Sequence, residues 1–551
     1  MVDSSSDYLT RLRQLTHIGV ALSTEKNHAK LLELILLEAK EIANADGGTI
    51  YLRTKDDHLE FAIMRTTSLG IALGGTTGKE IKLPRLPLYD ATTREPNHHN
   101  VATYAALQGV SLNIPDAYHA AGFDFSGTKK FDQANGYRSM SFLTVPMKNN
   151  KDEVIGVLQL LNARDRDHAD PVPFNTEVQQ VVESLASQAA VALDNQRLIA
   201  AQRDLLDAFI RLIADAIDKK SPYTGGHCKR VPLLTEMLAR AACNAKDGPF
   251  ASFNLDEEEW YELHIACFLH DCGKIVTPVH VMDKATKLET IYDRVNEVAL
   301  RVEVLKRDLE LAWRKARGKA KPTRDVLDAQ LAELDADMEF LRKANIGGEF
   351  MDDASIARVE KIGARMITVA GVERPLLSKE EIYNLSIRRG TLNNEERKII
   401  NDHIVITIEM LEKLPFPKHL ERVPEYAGGH HEKMDGTGYP RGLTREQMST
   451  PARMMAIADI FEALTAQDRP YKSGKKLSDA MKIMGMMKAD NHIDPELFDL
   501  FVRSGVYRDY ASKFLPVELI DNVDEDGLVK IVPKPRLMKQ PAEVPREAAR
   551  A

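Results

Sequence analysis

The sequence predicts a multidomain protein in which an α+β domain, a long connecting helix and an all-α helical bundle with an inserted helical hairpin follow one another. Three observations support this fold class. β-rich runs are found in the first third of the chain, a helical pattern without Gly or Pro comes next, and two helical blocks flank a segment with coiled-coil spacing. The 551 residues, 44% of them hydrophobic, are enough for roughly two to four domains with their own cores.

Residues 1–183 predict the α+β sensor domain. The run GGTIYLRT (47–54) reads as a strand, and SFLTVPMK (141–148) and EVIGVLQLLN (153–162) read as two more. The turn-like NNKD separates the last two runs, and helical patterns lie around them.

Residues 184–220 predict a connecting signalling helix. No Gly or Pro interrupts the pattern from Leu185 to Ile217, and Phe209, Ile213 and Ile217 recur at i+4 on one stripe. Such a helix would be roughly 50 Å long. We expect it to connect the two domains and to form part of a homodimer seam.

Residues 221–523 predict the helical bundle, with an insertion at about 286–377. Two apolar stripes with alternating steps of four and three are separated by KAKPTR (319–324), which is the pattern of an antiparallel helical hairpin. Because the stripes contain no ligand-type residues, a coiled-coil prop or dimer arm is favoured over a catalytic role. The stripes consist of Ile291, Val295, Val298, Val302, Leu305 and Leu309, and of Leu327, Leu331, Leu334, Met338 and Leu341.

Composition excludes several classes of protein. A net charge of −8 and a pI of about 6.1 do not give the basic footprint of a nucleic-acid-binding protein. With no 18-residue apolar segment and no leader pattern, we expect a cytoplasmic protein that binds no membrane.

The four cysteines form no C-x-x-C pair, so reduced, mostly buried thiols are expected. Residues 524–551 are Pro-rich and charged and are predicted to be disordered.

Imidazole and carboxylate groups are concentrated in five short sequences of the helical blocks. These are GGHCKRV (225–231), FLHDCGKI (268–275), IINDHI (399–404), GGHHEKMDGTGYP (428–440) and AIADIFEAL (456–464). Such groups suit divalent iron, manganese or zinc. The candidate ligands are His227, His270, Asp271, His403, His430, His431 and Asp459.

The tandem residues in these sequences favour two metals over one. Adjacent helical residues project about 100° apart, so His430 and His431 serve neighbouring metals more easily than one. A carboxylate such as Asp271 can bridge two ions while His270 binds one of them. Two ions roughly 3.5–4 Å apart clamp a phosphoryl group and lower the pKa of a bound water.

Basic residues near these sequences predict a polyanionic phosphodiester substrate. Lys274 follows Asp271 by about one helical turn, where its ammonium would meet a phosphate oxygen. In QDRPYKSG, Arg469 and Lys472 would hold further phosphate oxygens. We expect Gly438, Tyr439 and Pro440 to shape the edge of the pocket, because Gly permits unusual backbone angles and Pro fixes one.

On these residues, the region 205–515 resembles the HD-GYP family of HD-superfamily phosphohydrolases, bacterial enzymes that hydrolyse cyclic di-GMP. HDCGK is similar to the family's HDxGK, and HHEKMDGTGYP to its HHExxDGxGYP. IADIFEALTAQDRPYK resembles the segment with the last metal-binding Asp and the basic residues that contact phosphate. The resemblance implies an all-α bundle with the seven candidate ligands in ligand positions, and Lys274, Arg469 and Lys472 as substrate contacts. It also makes the loop Gly438–Tyr439–Pro440, called the GYP loop below, a candidate protein-contact surface.

Two departures from the family pattern affect the predicted site. Some members have a Glu four residues before the first histidine that helps to bind a third metal, whereas this chain has Tyr223, so we expect two metals. More than a hundred residues separate Asp271 from His403, where typical members have a short segment. Ile399 and Ile400 still give the helix of His403 a plausible buried face.

Residues of about 20–200 resemble GAF domains. The resemblance rests on LNIPDAY (112–118), KKFDQANGYRSMSFLTVPMK and EVIGVLQLLNARD. The NK-F-DE signature of cyclic-nucleotide-binding GAF domains is incomplete, since Ala163 follows Asn162 and the segment after Phe174 contains only Glu177 in place of an acidic pair. A small ligand such as a cyclic nucleotide and a pure dimerisation role therefore stay open for this domain.

These observations predict a metal-dependent phosphodiesterase that cleaves cyclic di-GMP to linear pGpG under control of the GAF domain, and further cleavage to GMP stays open. The expected catalytic residues are Asp271, Lys274 and His270. We expect the enzyme to bind two divalent ions. Iron or manganese is favoured, and zinc, nickel, cobalt and magnesium are the alternatives. A phosphohydrolase for another cyclic dinucleotide or nucleotide is the second hypothesis. A non-catalytic signalling scaffold that binds nucleotide and uses the hairpin or the GYP loop as a protein contact is the third, although the complete ligand set argues against it.

Overall fold

The chain folds into two compact units, Met1–Leu205 and Leu206–Ala551, each with a hydrophobic core of its own. The computed structural model describes residues 16–165, 170–220, 226–318, 322–466 and 474–535. One helix, described below, contributes residues to both units.

An antiparallel sheet forms the centre of the first unit. Its main strand order is β3-β2-β1-β7-β6-β5, with β4 paired to β2 and β8 to β7. The two sequence runs separated by NNKD become β6 and β7, which pair directly. The strands are β1 (Ala45–Arg53), β2 (His58–Thr66), β3 (Ile71–Gly74), β4 (Leu86–Pro87), β5 (Leu112–Ile114), β6 (Phe142–Lys148), β7 (Val154–Arg164) and β8 (Pro171–Val172).

Helices pack against both faces of this sheet, because successive strand residues point to opposite sides. In β7, Leu158 and Leu160 belong to a core shared with α2, whereas Val157 belongs to a cluster with Ala105 of α3. The predicted α+β fold of this unit is confirmed. Its helices before the connector are α1 (16–24), α2 (His28–Ile42), α3 (Val101–Gln108) and α4 (Ser126–Asn135).

Asn162, part of the incomplete cyclic-nucleotide signature, has a structural role here. Its φ of 52° lies in the left-handed region, which Asn tolerates better than most residues. Its Oδ1 accepts the backbone N–H groups of Met140 and Ser141 at 2.7 and 3.2 Å. The side chain thereby joins the end of β7 to the chain that enters β6.

The predicted connecting helix is α5 (Thr176–Lys220), which starts nine residues before Leu185 and has 45 residues, or about 68 Å at 1.5 Å per residue. The predicted stripe is wrong in part. Ile217 is 2% exposed, but Phe209 and Ile213 are 55% and 38% exposed. The buried positions near the end of α5 are Ile210, Ala214 and Ile217, spaced by four and three residues.

The second unit is mostly helical, as predicted. Its largest core joins α5 to the helices that follow the connector and those at the C-terminal side of the insertion. Outside the insertion, these helices are α6 (His227–Cys243), α7 (Glu257–Leu269), α8 (Val279–Met282), α12 (Lys379–Leu385), α13 (Asn394–Glu412), α14 (Val423–Gly428), α15 (Thr450–Thr465), α16 (Leu477–Ala489), α17 (Pro495–Arg503), α18 (Val506–Phe514) and α19 (Glu525–Val529).

The insertion contains the predicted helical hairpin, α9 (Val295–Lys315) and α10 (Arg324–Ile346). Asn345 bonds Asp293 and Lys306 bonds Asp335, so the two helices run antiparallel. The prediction is wrong at Ile291, which precedes α9 and is 95% exposed. The sequence also did not reveal the helix and the small two-stranded sheet that follow: α11 (Asp353–Gly363), β9 (Met366–Val369) and β10 (Val372–Pro375).

The predicted disordered tail is wrong for its first residues. α19 falls within it, and Leu528 is 6% exposed because it packs into the main core. The ammonium of Lys488 donates to the carbonyls of Leu528 and Val529 at 3.3 and 2.9 Å. Residues 536–551 of the predicted tail lie outside the described residues.

The described helices include none that is both long and apolar enough to cross a membrane. All four cysteines are free thiols, and Cys228, Cys267 and Cys272 are buried.

Candidate metal centre

Five segments of the second unit bring the predicted ligands together. His227 is the first residue of α6, and His270 and Asp271 follow the end of α7. His403 lies in α13, and Asp459 lies in α15. The tandem pair His430 and His431 lies in the turn directly after α14, and not within a helix.

Gly273 determines how closely the Asp271 segment approaches α13. This segment continues as a 3₁₀ turn, Cys272–Val276, and the N–H of Gly273 donates to Thr407 Oγ1 at 2.9 Å. A Cβ at position 273 would lie 2.0 Å from the carbonyl oxygen of His403. Only glycine fits at this contact, which places His403 beside Asp271 despite the long insertion between them.

Six of the predicted ligands form two groups that could each hold a metal ion. His227, His270 and Asp271 form the first group, and His403, His430 and His431 the second. Within each group the potential ligand atoms lie within 4.8 Å of one another.

Asp271 faces both groups. Its Oδ2 lies 3.2 Å from the Nε2 atoms of both His227 and His270. Its Oδ1 lies 3.3 Å from Nε2 of His403. One carboxylate thus presents a different oxygen to each group, which is the arrangement of a bridging ligand.

The seventh predicted ligand, Asp459, joins the first group. Its Oδ1 lies 3.3 Å from Nε2 of His227 and 4.0 Å from Nε2 of His270. In the second group, the Nε2 atoms of His403 and His431 are 3.3 Å apart. All seven predicted ligands therefore converge on one centre.

The hydrogen bonds of the imidazoles test whether these residues fit a metal. Nδ1 of His270 bonds the carbonyl of Cys267 at 2.7 Å, and Nδ1 of His430 bonds that of Ala427 at 2.6 Å. Because a carbonyl can only accept, Nδ1 carries the proton in both rings and Nε2 carries the lone pair. His403 makes the same bond to Ile400.

The atoms left without a partner point to the same conclusion. The Nε2 atoms of His227, His270 and His430 and Oδ1 of Asp271 are buried and have no hydrogen-bond partner among the described residues. Buried polar atoms are rarely left unpaired in folded proteins. Four such atoms at one centre are the donor set that divalent metals bind, so the residues present fit the implied ions.

The electrostatic surroundings of His430, His431 and Asp271 favour a bound cation. Burial lowers the pKa of His431 to about 4 and that of His430 well below its ordinary value, so both rings are neutral, as a metal ligand must be. Burial acts to raise the pKa of Asp271, but His270 and Lys274 lower it well below the usual range. The carboxylate is therefore ionised.

Lys274 lies at the edge of the centre. Its Nζ is 2.6 Å from Oδ2 of Asp271, and its side chain is 24% exposed. Burial acts to lower the pKa of Lys274, but Asp271 and Asp459 raise it above the usual value, so the ammonium is charged. The predicted contacts Arg469 and Lys472, like Tyr223, lie outside the described residues.

The Gly438–Tyr439–Pro440 turn lies against the second group. The ring of Tyr439 stacks on His431 with 4.9 Å between centroids and 15° between planes. A Cβ on Gly438 would come within 2.3 Å of the backbone nitrogen of Lys433, so the close turn requires glycine. The predicted substrate-contact loop thus also packs on a metal-ligand candidate.

Sequence reasoning missed two residues that hold His227. Nδ1 of His227 bonds Oε2 of Glu462 at 2.5 Å, and Arg230 donates from Nε to Oε1 of Glu462 at 2.7 Å. Burial acts to raise the pKa of Glu462, but His227 and Arg230 lower it, so this carboxylate is ionised. Its spacing of three from Asp459 on α15 was a signal that could have identified it.

Comparison with known proteins finds a matching domain in each unit. A sequence model of the GAF domain matches residues 27–193, and one of the HD domain matches residues 377–497. The HD match includes His403, the tandem histidines and Asp459. His227, His270 and Asp271 lie before it and join the centre through the fold.

Curated relatives are bacterial phosphodiesterases of cyclic dinucleotides. The 3'3'-cGAMP-specific phosphodiesterase 1 of Vibrio cholerae is 39% identical over 129 residues, covering 23% of this chain and 28% of the relative. The 3'3'-cGAMP-specific phosphodiesterase 3 of the same organism is 34% identical over 174 residues, covering 32% and 31%. A cyclic di-GMP phosphodiesterase of Pseudomonas aeruginosa is 47% identical over 79 residues, covering 14% and 18%.

Each of these matches spans less than a third of the relative's length. The chain combines a GAF domain with an HD domain, and the HHEKMDGTGYP sequence lies inside the region that matches the HD domain.

Proposed function

We propose that this protein is a metal-dependent phosphodiesterase that hydrolyses cyclic di-GMP to linear pGpG, with further hydrolysis to GMP left open. The observation that carries the proposal is Asp271, whose two oxygens face imidazoles of both groups. A two-metal centre of this kind suits displacement at phosphorus.

The residues of the centre would divide the work as follows. The seven ligand candidates would hold two divalent ions, which supply Lewis acidity toward the phosphate and lower the pKa of a bound water. Asp271 keeps the two groups at a fixed separation. His270 is held by its bond to Cys267, so its Nε2 does not need to reorient when substrate binds.

Lys274 would bind the substrate phosphate and favour the transition state. Its charged ammonium is partly exposed beside the carboxylate of Asp271, where it can meet a phosphate oxygen as negative charge develops. Arg469 and Lys472 are proposed for the remaining phosphate oxygens. In the reaction, the oxygen of water bonds to phosphorus, the bond to the sugar 3′-oxygen breaks, and that oxygen leaves with a proton.

Iron or manganese is the proposed metal. Mixed imidazole and carboxylate donors suit both ions, and zinc, nickel, cobalt and magnesium are alternatives. Two ions are proposed because Tyr223 stands where a ligand for a third would be expected.

A specific observation favours a second substrate. Two of the similar phosphodiesterases are named for 3'3'-cGAMP, which differs from cyclic di-GMP in one base. The metal centre acts on the phosphate, so base choice depends on the surroundings of the bases. A nucleotide-binding scaffold without catalysis is the third candidate.

The test is turnover of both cyclic dinucleotides by protein purified anaerobically and loaded with Fe(II) or Mn(II), with metal content measured on the same sample. Asp271→Ala should lose at least a hundredfold in turnover, because it removes the bridge from both groups. Circular dichroism is the control for folding. Full activity of the variant, or loaded protein that cleaves neither dinucleotide, would refute the proposal.

The GAF domain is proposed to regulate this reaction through α5, with a small ligand such as a cyclic nucleotide as the candidate signal. α5 also supports the proposed homodimer. Alternating steps of four and three residues along it give eight exposed positions on one stripe, four of them aliphatic residues at intervals of seven. This is the spacing of a two-stranded coiled coil. The positions are Val191, Asn195, Leu198, Gln202, Leu205, Phe209, Leu212 and Ala216.

Light scattering at micromolar concentration tests the dimer. We expect twice the mass of one chain, and Leu198→Lys combined with Leu205→Lys should reduce it to one, because both leucines lie in the centre of the stripe. A monomeric mass for the unchanged protein would contradict this proposal.

A further inference from the structure

The last turn of α5 contacts the chain segment that carries His227. The carboxylate of Asp218 accepts the backbone N–H of Gly226 at 3.1 Å and lies 3.5 Å from the backbone nitrogen of Cys228. These two residues flank His227 at the start of α6. Asp218 thus binds the backbone on both sides of a ligand candidate.

The same turn of α5 contacts the segment that carries Asp271. Nζ of Lys220 donates to the carbonyls of Lys274 and Thr277 at 3.0 and 2.7 Å, and to that of Ile275. All three hydrogen-bond donors of the ammonium are therefore used. The carbonyls lie at the end of the 3₁₀ turn that begins one residue after Asp271, where a cation is favoured.

The end of α5 is itself fixed in the core of the second unit. Ile210, Ala214 and Ile217 are 4%, 1% and 2% exposed, and Asp207 accepts a hydrogen bond from Tyr261 of α7 at 3.0 Å. Because the helix is continuous to Lys220, a shift or rotation of its last turns would move Asp218 and Lys220 together.

We propose that Lys220 is a positioning residue for the metal centre, which ties the end of α5 to the turn that bears Asp271 and Lys274. Asp218 has the matching role on the side of His227. This inference deepens the proposed function, since it assigns the contacts through which α5 regulates the same site. Displacement of α5 changes the geometry of the first ligand group. When the Lys220 contacts are lost, a displacement of α5 no longer reaches the turn that follows Asp271.

The test uses the full chain and Co(II) as a spectroscopic probe. Co(II) affinity and the visible absorption spectrum of the bound ion are measured for the wild type, Lys220→Met, Lys220→Gln, Lys220→Arg and the matched control Lys219→Met. Lys219 is the exposed neighbour on the same turn. Lys220→Met and Lys220→Gln should weaken Co(II) binding about tenfold and alter the spectrum, as expected when a group that supports metal ligands is lost.

The other variants make the comparison decisive. Lys219→Met should keep the affinity and spectrum of the wild type, and Lys220→Arg should recover most of both, because a guanidinium can also donate to several carbonyls. If Lys220→Met does not fold, Lys220→Gln and Lys220→Arg decide the question. Wild-type affinity and spectrum in a folded Lys220→Met or Lys220→Gln protein would overturn the inference, as would an equal effect of Lys219→Met.

Failure of this inference can be distinguished from failure of the proposed function. Wild-type protein that binds Co(II) but cleaves no cyclic dinucleotide would refute the phosphodiesterase and leave the Lys220 comparison valid. Wild-type protein that cleaves the substrate, with Lys220 variants that bind Co(II) unchanged, would overturn the positioning role alone.

Discussion

Replacing Gly273 with Ala should disrupt the candidate metal centre without replacing any of the seven ligand candidates. The added Cβ would lie 2.0 Å from the carbonyl oxygen of His403, 2.7 Å from the backbone nitrogen of Thr407 and 2.8 Å from its Oγ1. Favourable contact distances are about 3.5–4.0 Å. Two of the three atoms belong to the backbone of α13, so the turn and the helix have to separate by roughly 1–1.5 Å.

The energetic consequence follows from these contacts. Forcing a methyl group into a packed site costs about 1–3 kcal/mol, and losing the bond from Gly273 to Thr407 adds about 1 kcal/mol. The free energy of unfolding should therefore fall by about 2–4 kcal/mol. Separation of His403 from Asp271 should also weaken binding at the second group, and a misplacement of about 1 Å can cost a hundredfold in rate.

Three measurements on the Gly273→Ala protein check this reasoning: denaturant unfolding, metal content per chain and turnover of cyclic di-GMP. We expect reduced stability, fewer bound metals and a large loss of turnover. Gly348→Ala is the matched control, because its Cβ would meet only the side chain of Ile346 at 4.0 Å. A folded Gly273→Ala protein with the metal content and activity of the wild type would refute the role assigned to the close contact.

Two further predictions concern buried carboxylates. Glu462→Gln should weaken metal binding about 10–100-fold, because the carboxylate that orients His227 is lost. Isothermal titration with Mn(II) measures the change in affinity. An unchanged affinity would count against the orienting role of Glu462. Asp494→Asn should destabilise the protein by about 3 kcal/mol at neutral pH, because Asp494 is fully buried between Arg445 and Arg453. Burial acts to raise the pKa of Asp494, but the two arginines lower it. The difference in unfolding free energy between the wild type and Asp494→Asn should therefore be present above about pH 4 and shrink as the pH falls further. A difference that does not depend on pH would contradict this.

The metal-ligand candidates were predictable because they lie in sequences with unusual combinations of residue types. HDCGK and HHEKMDGTGYP place imidazoles, a carboxylate and glycines at fixed spacings, and the structure brings all seven candidates together. What the sequence could not show is why they meet. The contact between Gly273 and α13 joins residues more than a hundred positions apart, and no local pattern reports it.

The fold was predictable where one periodicity dominated. β6 and β7 are rich in β-branched and aliphatic residues and were recognised, and α5 lacks Gly and Pro. Periodicity misled where tertiary packing decides burial. Phe209 continues the apolar pattern of α5 but is exposed, and Leu528 lies in a polar, Pro-rich tail yet packs into the core because α19 brings it there.

The long insertion does not separate the residues of the candidate metal centre, because its two ends are bound to each other. Lys287, which is fully buried, lies where the chain enters the insertion and donates to the carbonyls of Leu385 and Ile387 where the chain returns, at 3.0 and 2.7 Å. Lys284 bonds both oxygens of Glu396, in the first turn of α13, at 2.7 and 2.8 Å.

These two lysines close the insertion at its base, so α13 starts from a position fixed by the segment that follows Asp271. The rest of the insertion has its own apolar core and does not need to contribute to the placement of His403. The two sides of the candidate centre are therefore joined by short contacts that the insertion does not interrupt.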